Sequence, residues 1–253
     1  MPQNSAARPE LAPHTPLPAY YRDEDEHSAY LRRMFDDTAP DYDRIERVLA
    51  LGTGRRYRRQ ALQRAGLHAG DRVLDVGTGT GLVAREALAV IGPTGQLVGV
   101  DPSPGMLAQA RLPGVELLIG RAESLPRPDA SASFVSLGYA LRHLSDLAAA
   151  FVEFRRVLEP GGRLLLLEIS RPEGRFARAL LKGYMRALVP LAARVVARRG
   201  STPELWRYYW DTIDACVAPE AILQALRDAG FTDARRHVEV GIFSEYTAVR
   251  GPG

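Results

Sequence analysis

The stretch Arg72-Val-Leu-Asp-Val76-Gly77-Thr-Gly79-Thr80-Gly81-Leu82-Val83 decides how the rest of the chain is read. Arg72–Val76 is a short, mainly apolar run of the kind that forms a strand covered on both faces. Three glycines at alternate positions follow, and Leu82–Ile91 then has helical apolar spacing. Strand, glycine turn and helix in that order bring bare backbone and free helix N–H groups close to a polar ligand. Asp75, Gly77 and Gly81 belong to this binding turn. Outward from it the alternation repeats: strand Gln96–Val100, helix Gly105–Arg111, strands Val115–Ile119 and Phe134–Leu137, helix Asp146–Leu158, strand Arg163–Glu168. Right-handed crossovers make such strands parallel, and Arg235–Arg250 alternates enough for two more. The expected fold is α/β: a doubly wound, mostly parallel, seven-stranded sheet.

The flanks read differently. Residues 1–27 hold five prolines and the acidic cluster Asp23–Glu26, and are expected to be a disordered or loosely packed tail. The folded domain is then 28–253. Ala29–Ala65 has helical spacing, with an expected break between two helices at Ala39-Pro40. About 171–218 reads as a helical cap insertion, followed by a helix from Pro219 to Ala229 that stops at Gly230.

Composition narrows the function. The net charge of +3 comes without a Lys/Arg cluster, so nucleic acid is not an expected partner. Cys216 is the only cysteine and the five histidines lack ligand spacing, so no metal is expected. The N-terminus has no apolar signal core, and no window is long enough to span a membrane. The cytoplasm is the expected compartment, with a peripheral place at the membrane as an alternative.

The glycine spacing is GxGxG. A dinucleotide fingerprint needs GxGxxG, and Leu82 occupies the position of its third glycine. The spacing suits S-adenosylmethionine instead, whose carboxylate takes the place of a pyrophosphate. Asp101 ends the second strand, where a carboxylate can accept from both ribose hydroxyls.

In these residues the sequence resembles the ubiquinone/menaquinone biosynthesis C-methyltransferases, from about Met34 to Gly241. The resemblance is carried by Met34-Phe-Asp, Tyr42-Asp43, Ala50-Leu-Gly52, Val73–Gly81, Val100-Asp-Pro-Ser-Pro-Gly-Met106, Ala122-Glu-Ser-Leu-Pro126, Ala140-Leu-Arg-His143 and Arg156–Ser170. It implies the class I S-adenosylmethionine-dependent methyltransferase fold. It further implies that Thr80 contacts the cofactor, that Asp101 holds the ribose and that Arg121-Ala122 lies beside the adenine. Met106 would pack on the adenine face, and Gly138 would floor the methionine part. The chain departs from the family at Arg121 (usually Asp or Asn), His143 (Asn) and Glu46 (Asn), and it lacks a C-terminal His-Arg-Gly.

Methylating a ring carbon needs a base, and His143, after the fourth strand, is placed for it. Arg142 beside it is a candidate to stabilise a phenolate, or else pairs with a core carboxylate. Tyr42 is the candidate lid over the sulfonium. Phe35, Tyr139, Trp206 and Tyr208 are candidates for an apolar pocket, Glu168 for a second base, and Cys216 for a small buried hydrophobe. The basic, apolar stretch 175–199 reads as a cap over the site or as a transient contact with an anionic membrane. The expected acceptor is a small aromatic or lipophilic molecule, methylated on carbon. O- or N-methylation in specialised metabolism, a nicotinamide oxidoreductase and a non-catalytic binding module are the rivals, and a homodimer stays open.

Overall fold

A computed structural model describes residues 11–49, 52–191 and 202–252. The chain runs α1 (Glu24–Leu49), α2 (Gly54–Arg64), β1 (Arg72–Val76), α3 (Leu82–Ile91), β2 (Gln96–Asp101), α4 (Pro104–Gln109) and β3 (Glu116–Ile119). After β4 (Ala132–Gly138) a short 3-10 turn, Leu141–His143, leads to α5 (Leu147–Val157) and β5 (Leu158–Ile169). Then come α6 (Arg175–Gly183), a π turn (Tyr184–Leu188), α7 (Thr202–Ala215), α8 (Pro219–Asp228), β6 (Phe231–Glu239) and β7 (Phe243–Arg250).

The seven strands form one sheet in the order β3-β2-β1-β4-β5-β7-β6. All neighbours are parallel except β7, which runs antiparallel to both β5 and β6. Each central strand is apolar on both faces because both faces are covered. Val73, Phe134, Leu165 and Leu167 pack under α2 and α3. Their neighbours Leu74, Val135, Leu164 and Leu166 pack against α5 and α8 on the other side. Full burial of one such side chain contributes about 1.5–3 kcal/mol. A third, aromatic cluster joins α1, the π turn and α7. It roofs the carboxyl ends of the strands, the end where doubly wound sheets bind ligands.

Two expectations change. No break occurs at Ala39-Pro40: α1 continues through Pro40 to Leu49, and α2 begins only at Gly54. Burial of Met34, Ala39 and Ile45 outweighs the loss of one backbone hydrogen bond at the proline. The segment 11–23 is also not loose. Leu11 N donates to Asp146 Oδ1, Leu11 O accepts from Leu147 N, Pro13 accepts from Val217 N, and His14 and Tyr21 are buried. Apolar and aromatic residues among the prolines give this strap the contacts that its composition conceals. Residues 1–10 of the expected tail and 192–201 of the expected cap lie outside the described residues.

Candidate active site

The site grows from the turn after β1. Gly77, Gly79 and Gly81 have φ of 61°, 55° and 87°, a region that side chains other than glycine resist. A Cβ at Gly81 would meet Leu112 at 2.9 Å, whereas one at Gly79 would meet nothing within 4 Å. Gly81 is therefore packed, and Gly79 faces open space. Asp75 is not on the pocket wall. It lies beneath the turn, accepting from Thr78 Oγ1 at 2.7 Å and Ser136 Oγ at 2.6 Å. Burial pushes its carboxyl up to about 6. Asp75 shapes the loop from inside.

Asp101 closes the other side. Its Oδ2 accepts from Gly79 N at 2.7 Å, and its Oδ1 from Ser103 N at 2.8 Å. Two backbone donors fix the carboxylate while each oxygen keeps a free lone pair. Burial raises its pKa to about 6, against those two bonds, with Asp36 adding to the rise. Ser103 caps α4 and accepts from Met106 N, which sets the buried Met106 into the wall beside Ala122. Gly138 also lines the pocket; a Cβ there would meet Val83 at 2.5 Å, so glycine is what lets α3 approach β4.

Helix α1 is pinned over this pocket by two aspartates seven residues apart, on one helix face. Asp36 accepts from Ser103 Oγ at 2.6 Å and Gly105 N at 2.8 Å. Asp43 accepts from Thr80 Oγ1 and from Arg85 Nη2, the latter at 2.8 Å. Both aspartates stand in the blocks quoted above, yet nothing in their spacing alone named their partners. Glu46, where the family has asparagine, pairs with the buried Arg58 at 2.7 Å.

Arg121 does not point idly outward. It lies on the pocket rim and donates to Ser28 of α1 at 3.2 Å and to Ser145 after β4. It ties α1 to the loop after β4 across this rim, where the resemblance implies the adenine would lie. Arg121→Ala is expected to speed cofactor dissociation about 2- to 10-fold, the worth of one or two exposed hydrogen bonds. Displacement kinetics with S-adenosylhomocysteine measure this; an unchanged off-rate contradicts the tie.

The other side of the pocket is aromatic. Leu31, Phe35, Tyr42, Tyr139, His143 and Tyr209 line it. Tyr42 and Tyr209 share a hydroxyl hydrogen bond of 3.1 Å. Trp206 and Tyr208 are not on the wall. Tyr208 turns towards Tyr20 and Tyr30, with ring centroids 5.1 and 5.5 Å away, and the next residue on the helix, Tyr209, takes the pocket position. Cys216 is half-buried against the sheet core, its thiol pushed up to about 12 by burial.

Arg142 and His143 part company. Arg142 is fully buried behind the wall, not in it. It pairs with Glu168, donates to Thr212 Oγ1 at 3.2 Å and lies 4.6 Å from the Tyr209 ring centre. Burial works most strongly against its charge, but Glu168, together with Tyr209, Tyr42 and Cys216, outweighs it and raises its pKa. Neither member of the pair lines the pocket: Arg142 takes its other expected part, pairing with a core carboxylate, and the structure gives it no contact as phenolate stabiliser and Glu168 none as second base. His143 does line the pocket, between Phe35, Tyr208 and Tyr209. Both its ring nitrogens are buried without a hydrogen-bond partner. Burial, then the charge of Arg142, hold its pKa well below 6.5, so the imidazole is neutral.

Among the described residues one trio could offer metal ligands: His237, Glu239 and Glu245 on the β6–β7 hairpin. Arg64 already reaches both carboxylates, at 3.5 Å and 3.1 Å. No described helix is long and apolar enough to cross a membrane.

The lining fits S-adenosylmethionine: Asp101 would hold the ribose, Met106 and Ala122 would flank the adenine, and the open space beside Gly79 would receive the amino-acid end. Proteins that build a pocket this way across β1 and β2 are the class I S-adenosylmethionine-dependent methyltransferases, and this chain is one. A sequence profile of the ubiE/COQ5 methyltransferase family matches residues 23–250, and the chain belongs to that family. It is 34% identical over 230 residues to the ubiquinone/menaquinone biosynthesis C-methyltransferase UbiE of Geobacter sulfurreducens, covering 87% of this chain and 88% of the relative. It is 36% identical over 220 residues to a demethylmenaquinone methyltransferase of Mycobacterium sp. strain KMS, covering 87% and 93%. Among solved structures it is similar in fold to a SAM-dependent methyltransferase of Thermotoga maritima, with a TM-score of 0.61 at 21% identity, covering 87% and 99%.

Proposed function

We propose that the protein methylates a ring carbon of a lipophilic hydroquinone, with His143 as the base. The family's C-methyltransferases of quinone biosynthesis support this acceptor. The observation that carries it is His143: an imidazole with two unsatisfied buried nitrogens, set in an aromatic wall. An unpaired buried polar group costs about 1–3 kcal/mol, and an acceptor hydroxyl stacked among these rings relieves that cost.

Bound S-adenosylmethionine supplies an electrophilic methyl group on a sulfonium. The chain supplies the rest. His143 takes the hydroxyl proton, so that negative charge spreads to the ring carbon that attacks. Phe35, Tyr139 and Tyr209 hold the ring flat and exclude water. Tyr42, fixed by Tyr209, lines the same pocket, where its ring could face the sulfonium of a bound cofactor. The new carbon–carbon bond forms as the methyl–sulfur bond breaks; the ring proton on that carbon is then lost to solvent, aromaticity returns, and His143 gives its proton back to the ring oxygen. O- or N-methylation is not favoured, because the chain belongs to the ubiE/COQ5 family and its Geobacter relative is named a C-methyltransferase.

His143→Asn is expected to lower turnover about 100-fold, the scale of general base catalysis, and to leave cofactor affinity intact. A rise in rate through the usual histidine range is not expected. A depressed pKa keeps the base neutral as pH falls, so kcat stays flat from neutrality to well below 6.5. A kcat that titrates between 6 and 7 contradicts the buried neutral base.

The experiment for the acceptor compares reduced and oxidised demethylated quinones with the same enzyme and cofactor. Turnover of the hydroquinone alone supports the reading, since only it has a proton for His143 to take. Turnover of neither, with cofactor bound, overturns it.

A further inference from the structure

We infer that α6 is a docking surface for anionic lipid membrane. None of its nine residues is buried, although it is strongly amphipathic. Phe176 is 83% exposed, Leu180 66% and Leu191, further along the same helical stretch, 60%. Phe176 and Leu180 stand four residues apart on α6 and so form an open apolar stripe on one face of it. Globular proteins rarely leave two large apolar side chains together in water without a use.

Charge selects the occupant. Arg175, Arg178, Lys182 and Arg186 are exposed beside the stripe, and α6 itself holds no acidic residue. Arg178 pairs with Asp214 at 2.7 Å and Arg186 lies 3.9 Å from Asp211. Arg175 and Lys182 have no acidic partner among the described residues. An apolar stripe flanked by basic residues is the pattern of a helix that lies in the plane of an anionic leaflet, rings and aliphatic groups below the headgroups. A second copy of this basic face would repel it.

The position gives the contact a purpose, which rests on the hydroquinone reading above. α6 runs directly into the π turn, where Met185 and Val189 pack into the aromatic cluster with Phe35 and Tyr42. Those two residues are also pocket wall. A membrane under α6 thus lies against the roof of the acceptor site, where a lipid-soluble substrate would enter without crossing water.

The test is co-sedimentation of the full chain with vesicles of phosphatidylcholine alone or mixed with phosphatidylglycerol. Binding is expected to the mixed vesicles, to fall with added salt, and to drop tenfold or more in Arg175→Glu/Lys182→Glu and in Phe176→Ser/Leu180→Ser. All four residues are exposed, so both variants should fold. Their turnover of a short-chain, water-soluble hydroquinone should equal that of the parent. Absence of binding to either vesicle, or equal binding by parent and variants, overturns the proposal. So does a dimer in sedimentation velocity that Phe176→Ser/Leu180→Ser dissolves. Loss of water-soluble turnover in the parent itself strikes the acceptor reading and leaves the vesicle result standing.

Discussion

Asp101→Ala is expected to weaken S-adenosylmethionine binding roughly 100-fold, measured by calorimetric titration. Two hydroxyl bonds to a charged acceptor, at about 1.5 kcal/mol each, amount to about 3 kcal/mol. The loss is compounded because the same carboxylate holds Gly79 N and Ser103 N, so the loop and the cap of α4 both lose their anchor. Asp101→Asn keeps one acceptor oxygen and is expected to lose about tenfold. pH offers an independent check. The bound ribose favours the carboxylate, and burial places its pKa near 6. Affinity should therefore hold above that value and fall as pH drops through it, while kcat at saturating cofactor does not follow. Unchanged affinity in a folded Asp101→Ala protein removes the residue from the cofactor site.

Arg142→Met is expected to cost about 3–5 kcal/mol of stability, because Glu168 would remain buried with its charge uncompensated. For a chain of this size that is a drop in Tm on the order of 10 °C. Removing both partners, in Arg142→Met/Glu168→Leu, is expected to recover most of the loss, since two apolar side chains need no desolvation of charge. The double variant also tests the neighbour. The charge of Arg142 helps depress His143, so without it the histidine pKa should move upward, towards its ordinary value. A single variant as stable as the parent contradicts the buried pair.

The sheet was legible because its signals are local. β1 and α3 were read to the residue, since an apolar run and a glycine turn leave little choice of boundary. The pocket around Gly77–Thr80 and Asp101 followed from the same turn. What failed depends on residues far apart in sequence. Pro40 is a local break signal overruled by burial of Met34 and Ile45. Arg142 looked like a catalytic partner of His143 because the two are adjacent, but a 3-10 turn sends one into the core and the other to the pocket. Tyr209 was hidden behind Tyr208 because a cluster of aromatics does not tell which one faces the ligand. Asp75 was read as a ligand contact and instead braces the loop.

The most direct test of the account follows the methyl group. Enzyme, S-adenosylmethionine with an isotope-labelled methyl, and a demethylated hydroquinone are incubated, and the product is examined by nuclear magnetic resonance. The account predicts the label on a ring carbon, with loss of that carbon's proton signal, and a much slower appearance in His143→Asn. A label on a hydroxyl oxygen, or no transfer from a cofactor that demonstrably binds, contradicts it.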